Sequence, residues 1–487
     1  MSDAQLILIA GTLLAAGVAA SLLAGRLRVP GLVLFIGVGM AIGSDGTGWI
    51  SFDDYELARR IGIIALALIL FEGGLASGLV EIRPVLRPAI SLAFVGTIVT
   101  AVIAGLAASW LLGLPVLQGL LLGSILAATD GAAVFGLLRG STLRRRLART
   151  LEAESGLNDP VAVLLVLGFI NWIQTDGYGL GDMAWLFTRQ LGIGLAVGLV
   201  VGRLAVHAVR RVNLDARGLY PVASVATAGI AYGGAAMIDG SGFLAVYLAG
   251  LALGEAHIPA KRTITAFHEG PAWAAQIALF LTLGLLVFPS QLGDVALDAA
   301  LIALVLVIVA RPVAAFLATA FDPYGNRERV ILGWAGLRGA VPVVLATFPV
   351  ISGVPHSLEF FNIVFFAVLA STIIQGTTFE PLARALGTTT SEPALPRPLT
   401  ETGTIRALGA EVVEYAVGPR DMIVGRRVRE LGLPREGLVN VIVRDGQAIP
   451  PRGSTVIEPG DRLHVLVREE VADEFVSLTE RWRRGGR

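Results

Sequence analysis

The segment LEAESGLNDPVAVLLVLGF (151–169) decides how the chain is interpreted, because it places charged and amide side chains inside an apolar stretch of helical length. Ser155 and Asp159 are four residues apart, so on a helix their side chains share one face. Glu154 and Asn158 share the neighbouring face for the same reason. The segment therefore predicts a helix with two adjacent polar faces.

The composition around this segment indicates a membrane protein. Of 487 residues, 54 % are apolar and 16 % are charged, against about 25 % charged in an average soluble domain. The mean hydropathy is +0.73. A formal net charge of zero gives no case for nucleic-acid binding. The chain has no cysteine and its five histidines are scattered, so we expect neither a thiolate metal site nor a zinc site.

Apolar segments long enough to cross a bilayer recur along the chain, since a spanning helix needs about 20 mainly apolar residues. The pattern predicts thirteen transmembrane helices, of which the second and the ninth are short. They are 4–25, 30–43, 57–77, 86–113, 117–138, 148–173, 184–211, 219–237, 241–255, 271–288, 296–320, 329–350 and 360–383.

Loop charges predict the orientation of these helices. Arginine and lysine occur in the loops after odd-numbered segments, whereas the loops after even-numbered segments have none. The positive-inside rule then places the N-terminus outside and the C-terminus in the cytoplasm. The first apolar run follows Asp3 without a basic region before it, so it is interpreted as a membrane span and not as a cleaved signal.

Four further ionisable or polar positions interrupt the predicted spans. Glu72 lies in the third span, Thr129 and Asp130 lie in the fifth, and Arg338 lies in the twelfth. Each ionisable group at a span centre costs about 2.5–3.5 kcal/mol on insertion scales, so such residues are candidates for function.

The helical rise predicts which of these residues meet. Asp159 is about 15 Å from the cytoplasmic end of its span, and Asp130 is about 20 Å from the outer end of its own, so both lie near the midplane. Pro160 should distort the sixth helix and free main-chain carbonyls. Because hard cations prefer oxygen ligands, we expect a monovalent cation at Asp159, Asp130, Ser155 and Thr129.

Each position also has a structural interpretation. A single intramembrane aspartate can be a hydrogen-bonding node, but Asp130 and Asp159 together with Ser155 favour a site. Glu154 and Arg338 are interpreted as a buried ion pair that stabilises the fold, in preference to direct ion ligands. Glu72 could either line the site or support a helix interface.

The fifth and twelfth spans resemble each other, since each has a polar, glycine-containing break at its middle. Interrupted helices at matching places in two six-helix halves are typical of inverted repeats around a midplane site. The fold class predicted from the sequence is therefore an all-α polytopic membrane protein with thirteen transmembrane helices, inverted repeats and two interrupted crossing helices.

A small soluble domain is predicted after the last span. The segment 388–403 is rich in Thr and Pro and is interpreted as a linker between a membrane domain (1–387) and a cytoplasmic α+β domain (404–487). EVVEYAV (411–417) and DRLHVLV (461–467) suit strands, and LVNVIVRDGQAI suits a hairpin turning at Asp445-Gly446. IVGRRVRELGL suits a short helix and EEVADEFVSLTERW suits a closing helix.

Three motifs together carry a family resemblance: ATDGAAVFGLLR, LEAESGLNDPVAV and GLRGAVPVVLA. They resemble the NhaP-type monovalent cation:proton antiporters (cation:proton antiporter family 1). The tail VRDGQAIPPRGSTVIEPGDRLHVLV resembles a TrkA-C (RCK C-terminal) domain, which is typical of the potassium/proton branch. Relatives in this branch often extend beyond that domain, whereas this chain stops shortly after it.

The resemblance implies residue roles. Asp159 would be the main cation and proton carrier, Asp130 would complete the site, and Thr129 and Ser155 would supply oxygens. Glu72 would line the site, and Glu154 with Arg338 would form an ion pair between core helices. At the position of Asn158, other branches of this family carry a second aspartate. An asparagine there goes with electroneutral exchange in this family.

The resemblance also implies partners and location. We expect a homodimer in the bacterial inner membrane, surrounded by lipid, with no enzymatic activity and no cofactor beyond the transported K⁺ or Na⁺ and H⁺. The TrkA-C domain is expected to bind a nucleotide or a cyclic dinucleotide, to dimerise, or to act as a passive cap. Sodium or lithium remains an alternative cargo, and a ligand-gated potassium channel is the alternative from another class.

Overall fold

A computed structural model describes residues 3–27, 31–78, 82–130, 142–212, 216, 218–256, 258–390, 400–405, 410–444 and 447–483. The chain divides into two compact units, Met1–Thr390 and Ser391–Arg487. The first unit is helical, and the second is a small α+β domain. This division agrees with the predicted classes of the two parts.

Within the described residues, the first unit consists of helices α1 to α14. Seven of its helical stretches are long and apolar enough to cross a membrane, and shorter apolar helices lie between them. In chain order the helices are α1 (Asp3–Leu27), α2 (Gly31–Ile42), α3 (Tyr55–Ser77), α4 (Arg83–Leu112), α5 (Val116–Ala127), α6 (Arg145–Gln174), α7 (Leu180–Arg211), α8 (Leu219–Met237), α9 (Gly242–Glu255), α10 (Lys261–Leu285), α11 (Pro289–Val305 continued by Leu306–Ala310 and Arg311–Ala318), α12 (Asn326–Trp334), α13 (Ala340–Ile351) and α14 (Ser357–Ala385).

Local sequence accounts for where α3 begins and ends. The Asp54 carboxylate accepts a hydrogen bond from the Leu57 N–H at 2.9 Å, which satisfies a donor that the helix itself leaves unpaired. Glu56 in the first turn suits the positive end of the helix dipole. At the other end, Gly78 has a φ of +65°, a left-handed value that favours glycine.

Helix α6 differs from the sequence prediction at its proline. The helix runs without interruption from Arg145 to Gln174 and contains Pro160 in its interior. Pro160 removes one N–H from the hydrogen-bond ladder, but the helix is not interrupted there. The site therefore depends on side chains more than on carbonyls freed by a broken helix.

Two helices change their hydrogen-bond pattern in the same way. Leu92–Gly96 in α4 and Leu306–Ala310 in α11 are each a five-residue π-helical segment. Such segments are uncommon and are frequently found at functional sites. Both lie on helices that lead toward the interrupted elements described below.

The second unit is built on an antiparallel sheet in the strand order β1-β2-β5-β3-β4. Tyr415, Phe475 and Trp482 form the centre of its core, with the Trp482 ring packed edge-on against both other rings. Its elements are β1 (Thr400–Ile405), β2 (Ala410–Ala416), β3 (Gly437–Arg444), β4 (Gln447–Ile449), β5 (Arg462–Arg468) and α15 (Ala472–Arg483).

Two details of the C-terminal part of the chain differ from the sequence prediction, and one agrees with it. The predicted short helix is only a 3₁₀ turn, Val428–Glu430. The predicted linker is too long at both ends, since Thr389 forms a β-bridge with Leu143 and residues 400–405 form β1. β3 and β4 pair as the predicted hairpin, whereas its turn at 445–446 lies outside the described residues.

A buried ion pair stabilises the loop before β5. Asp461 is buried, and the Arg444 guanidinium donates to its two carboxylate oxygens at 2.7 and 2.8 Å. Burial alone would raise the pKa of Asp461, but the hydrogen bonds and charge of Arg444 outweigh it and lower that pKa below 3.8. The carboxylate therefore stabilises the domain above pH ~3.8, and this contribution is lost as the pH falls through the lowered pKa of the folded state.

Replacing Asp461 with Asn is expected to destabilise the C-terminal domain by about 1.5–3 kcal/mol at neutral pH, because hydrogen bonds to a charged group are lost. Hydrogen–deuterium exchange of residues 410–483 in the full chain measures this. Asp473→Asn, in the first turn of α15, is the control and should leave exchange nearly unchanged. Equal protection in Asp461→Asn and the native chain at pH 7 would contradict the prediction.

Candidate functional site

Two helices break where they meet inside the membrane unit. Helix α5 ends at Ala127, Ala128 is extended, and the chain continues without regular secondary structure to Asp130. Helix α12 ends at Trp334, and α13 begins at Ala340. The Asp130 N–H donates to the Leu337 carbonyl at 3.0 Å, which joins the two breaks. The rest of the predicted fifth span, 131–138, lies outside the described residues.

The two breaks cap each other. The Ala340 N–H, at the start of α13, donates to the Asp130 carboxylate at 3.0 Å. The Arg338 guanidinium donates to the carbonyls of Ala127 and Ala128, at the end of α5, at 2.6 and 2.7 Å. The Asp130 carboxylate therefore lies at the positive N-terminal end of α13, and the Arg338 guanidinium lies at the negative C-terminal end of α5. Both contacts stabilise the half-helices.

Helix α14 supports the second break. The Thr372 hydroxyl donates to the Arg338 carbonyl at 2.7 Å, and the Gln375 amide donates to the Trp334 carbonyl at 2.8 Å. The Ser371 hydroxyl accepts from the Arg338 N–H at 3.3 Å. These bonds satisfy backbone groups that an unwound segment inside a membrane would otherwise leave unpaired.

Polar residues of α6 lie against these breaks. Asn158 donates a hydrogen bond from its amide to the Thr129 hydroxyl, which joins α6 to the end of α5. Asp159 and Ser155 are buried on the same helix, and Asp159 lies close enough to Asp130 for their charges to interact. The structure therefore places Asn158 against Thr129 and Asp159 near Asp130, while Ser155 is buried one turn from Asp159 on α6. Their role as a cation site stays a prediction.

Unpaired oxygens occur within this group. Within the described part of the chain, Oδ1 of Asp159 and Oδ1 of Asn158 are buried and have no hydrogen-bond partner. A buried carboxylate oxygen without a donor is costly unless a proton or a cation joins it. The donor set is made of oxygens, which suits a hard monovalent cation.

The predicted pairing of Glu154 with Arg338 is wrong. The guanidinium of Arg311, in the last segment of α11, lies 2.5 Å from the Glu154 carboxylate, and both side chains are buried. Arg338 directs its Nη1 at the two carbonyls that end α5 instead, and it interacts with Glu154 only through charge. The sequence reasoning missed Arg311, although an arginine within LVIVARPVAAF (306–316) is the same signal that identified the other intramembrane charges.

Glu72 is half-buried on α3. The neighbouring Phe71 ring packs against the His268 ring on α10, with 5.0 Å between the ring centroids. Helix α3 packs mainly against α9 and α10. A role for Glu72 in lining the site stays a prediction.

Gly339 is required by the capping geometry. A Cβ built at this position would overlap the Asp130 carboxylate, which accepts from the next residue, Ala340. We expect Gly339→Ala to destabilise the fold by about 1–3 kcal/mol, as overpacking does. Gly192→Ala in α7, where a Cβ would meet nothing within 4 Å, is the control. A native melting temperature in purified Gly339→Ala would refute the required contact.

Comparison with known proteins agrees with this architecture. The model for the transmembrane sodium/hydrogen exchanger family matches residues 11–385, and the model for the TrkA-C domain matches residues 412–479. The K(+)/H(+) antiporter NhaP of Alkalimonas amylolytica is 39 % identical over 95 % of this chain and 81 % of its own length. The K(+)/H(+) antiporter NhaP2 of Shewanella oneidensis is 37 % identical over 97 % of this chain and 82 % of its own.

A solved structure shares the fold of the membrane unit. The sodium proton antiporter MjNhaP1 of Methanocaldococcus jannaschii superposes with a TM-score of 0.67 at 24 % identity, covering 78 % of this chain and 99 % of that one. The family match spans most of the chain, and the members of this family are transporters, not enzymes. The chain belongs to the sodium/hydrogen exchanger family of cation:proton antiporters and carries a C-terminal TrkA-C domain.

Proposed function

We propose that this antiporter exchanges K⁺ for H⁺ and that the two ions compete for Asp159. One observation carries the proposal: a buried carboxylate oxygen of Asp159 without a hydrogen-bond partner in the described residues, beside two half-helices that cap each other. We assign further oxygens for the cation to Asp130, Ser155 and Thr129, which are also buried.

The mechanism follows from charge. The Asp159 carboxylate is neutralised either by a proton or by a cation, and it holds one of them at a time. An unoccupied, charged site is too costly to carry across the membrane, so only the occupied forms change their access. Asn158 adds no second charge, which makes one-for-one, electroneutral exchange the simplest stoichiometry. Alternating access then couples the flow of cations in one direction to that of protons in the other.

The proposed topology has thirteen spans, an external N-terminus and a cytoplasmic C-terminus in a bacterial inner membrane. Matching π-helical segments in α4 and α11 and matching breaks after α5 and α12 support two inverted repeats. The absence of Lys and Arg from alternate predicted loops supports the orientation.

Potassium is favoured as the cargo because relatives at 37–39 % identity are named K(+)/H(+) antiporters. Sodium or lithium is the alternative, since selectivity depends on cavity size and on the number of ligands. Membership of an antiporter family argues against the channel alternative. We further propose that the protein is a homodimer and that its TrkA-C domain regulates exchange by binding a nucleotide or a cyclic dinucleotide.

The test is dissipation of a pH gradient in proteoliposomes on addition of K⁺, Na⁺ or Li⁺. We expect K⁺ to give the fastest proton movement, with no dependence on membrane potential. A faster response to Na⁺ would support the alternative cargo, and cation current without proton movement would refute antiport. A chain ending after Thr390, compared with the full chain, measures what the TrkA-C domain contributes.

A further inference from the structure

The last helix of the membrane unit ends in a well-bonded turn. Helix α14 ends at Ala385, and Gly387 follows with a φ of +65°, a left-handed value that favours glycine. The N–H and the hydroxyl of Thr388 both donate to the Ala383 carbonyl at 3.0 Å, and Thr388 is buried. The chain is therefore held firmly just before the second unit begins at Ser391.

A short antiparallel pairing joins residues 388–390 to residues 142–144, which directly precede α6. Leu143 lies opposite Thr389 at its centre, and the Leu143 side chain is fully buried. Two main-chain hydrogen bonds of 3.0 and 2.6 Å flank this pair. They run from the Arg144 N–H to the Thr388 carbonyl and from the Thr390 N–H to the Thr142 carbonyl. We call this pairing the 143–389 bridge.

Side chains extend the bridge to a third helix. The Arg144 guanidinium donates to the Gly387 carbonyl at 3.0 Å and lies 3.2 Å from the carboxylate of Glu328, in the first turn of α12. The Thr142 hydroxyl donates to the carboxylate of Glu380, on α14, at 3.1 Å. The bridge therefore connects the end of α14 with the start of α6 and the start of α12.

These three helices carry or support the candidate site. Helix α6 is continuous from Arg145, so Asp159 lies about 20 Å from its start at 1.5 Å per residue. Helix α12 ends at Trp334, where the second break begins. Helix α14 donates hydrogen bonds to that break through Thr372 and Gln375. Because helices are rigid elements, a displacement at the bridge acts on the site through all three.

We infer that the 143–389 bridge is the connection through which the TrkA-C domain controls exchange; this rests on the exchange and the regulation proposed above. The unit that contains this domain begins at Ser391, so a displacement that travels along the chain reaches the bridge first. The paired bridge holds α6 where Asp159 lies near Asp130. Unpairing releases the start of α6 and slows exchange.

Thr390→Pro tests the bridge, because proline lacks the N–H that donates to Thr142. Thr390→Ala keeps that N–H and loses only an exposed hydroxyl contact of 3.3 Å, so it is the matched control. We expect exchange at saturating K⁺ in Thr390→Pro to fall about fivefold, the change in an equilibrium that one lost hydrogen bond causes. Thr390→Ala should exchange at the native rate, and both variants should have the native melting temperature.

A disulfide tests the same contact reversibly, since the chain has no cysteine of its own. Leu143 and Thr389 form a non-hydrogen-bonded pair, whose Cα atoms are about 4.5 Å apart in antiparallel strands, within the span of a disulfide. We expect Leu143→Cys with Thr389→Cys to lose both free thiols on oxidation. When Thr390→Pro is added, oxidation should restore the exchange rate and reduction should lower it again. Comparison within one preparation removes the effect of shortening Leu143.

A longer connection tests the part played by the TrkA-C domain in the full chain. An insertion of about twenty Gly and Ser residues after Ser391 adds a flexible coil of about 25 Å mean length, so the domain no longer restrains Thr390. Chain ends that are not tied down are poorly ordered, so the bridge should open more often. We expect exchange to fall about fivefold, at the lower end of typical couplings between sites. The same insertion should have no effect when the disulfide between positions 143 and 389 is formed.

The outcomes separate this inference from the proposals on which it rests. If native proteoliposomes show no cation-dependent proton movement, the exchange function fails. If the native chain exchanges and Thr390→Pro is as fast as Thr390→Ala, or if the two thiols do not join, the bridge is refuted and exchange stands. If the insertion slows the oxidised and the native chain equally, the TrkA-C domain regulates by another route. An insertion without effect in the native chain, or a slower Thr390→Pro with a lower melting temperature, would also overturn the inference.

Discussion

Asp159→Asn is expected to reduce cation-dependent proton movement in proteoliposomes to the level of liposomes without protein. The amide has nearly the shape of the carboxylate, but it neither binds a proton at neutral pH nor attracts a cation. Because Oδ1 of Asp159 has no hydrogen-bond partner among the described residues, the substitution breaks no contact of that oxygen. The purified variant should therefore remain folded, with a melting temperature at or above the native one.

A matched control is Asp239→Asn, which changes an exposed aspartate paired with Arg189 at the surface. Surface ion pairs contribute little to stability, so this variant should exchange at the native rate and melt normally. Exchange by Asp159→Asn at a rate comparable with the control would show that the carrier is another residue. An inactive but unfolded Asp159→Asn would contradict the expected stability and would be detected by its melting curve.

Arg311→Ala is expected to have the largest effect on stability. It leaves the Glu154 carboxylate buried without its guanidinium, and breaking a buried pair in this way costs about 3–5 kcal/mol. Thermal unfolding of the detergent-solubilised protein measures the loss. Adding Glu154→Gln should restore part of it, because the buried charge that lacks a partner is then removed.

The same single and double variants, made with Arg338→Ala in place of Arg311→Ala, distinguish the observed pairing from the one that the sequence predicts. Arg338→Ala should also destabilise the protein, since Ala127 and Ala128 lose the donor to their carbonyls. Glu154→Gln should not compensate for that loss, because Glu154 is not the hydrogen-bond partner of Arg338. Compensation of Arg338→Ala by Glu154→Gln, without compensation of Arg311→Ala, would refute the pairing in the structure.

The sequence was sufficient for features that depend on short-range patterns. Long apolar segments indicate membrane helices because a bilayer requires about 20 apolar residues in sequence, whatever surrounds them. The strands β2 and β5 follow from alternating side chains, and the alignment of the candidate site residues on α6 follows from helical periodicity. Family membership follows likewise, since its motifs are contiguous stretches of the chain.

The tertiary structure decided which distant groups meet. Three intramembrane charges, Glu154, Arg311 and Arg338, allow more than one pairing, and the choice depends on how α6, α11 and the break before α13 pack. Sequence spacing carries no information about that packing. For the same reason, only the structure shows Asp130 capping α13 and the Tyr247 ring lying on Gly156. Partner choice is set by the three-dimensional distance between helices that are far apart in the chain, whereas polarity and period are properties of neighbouring residues.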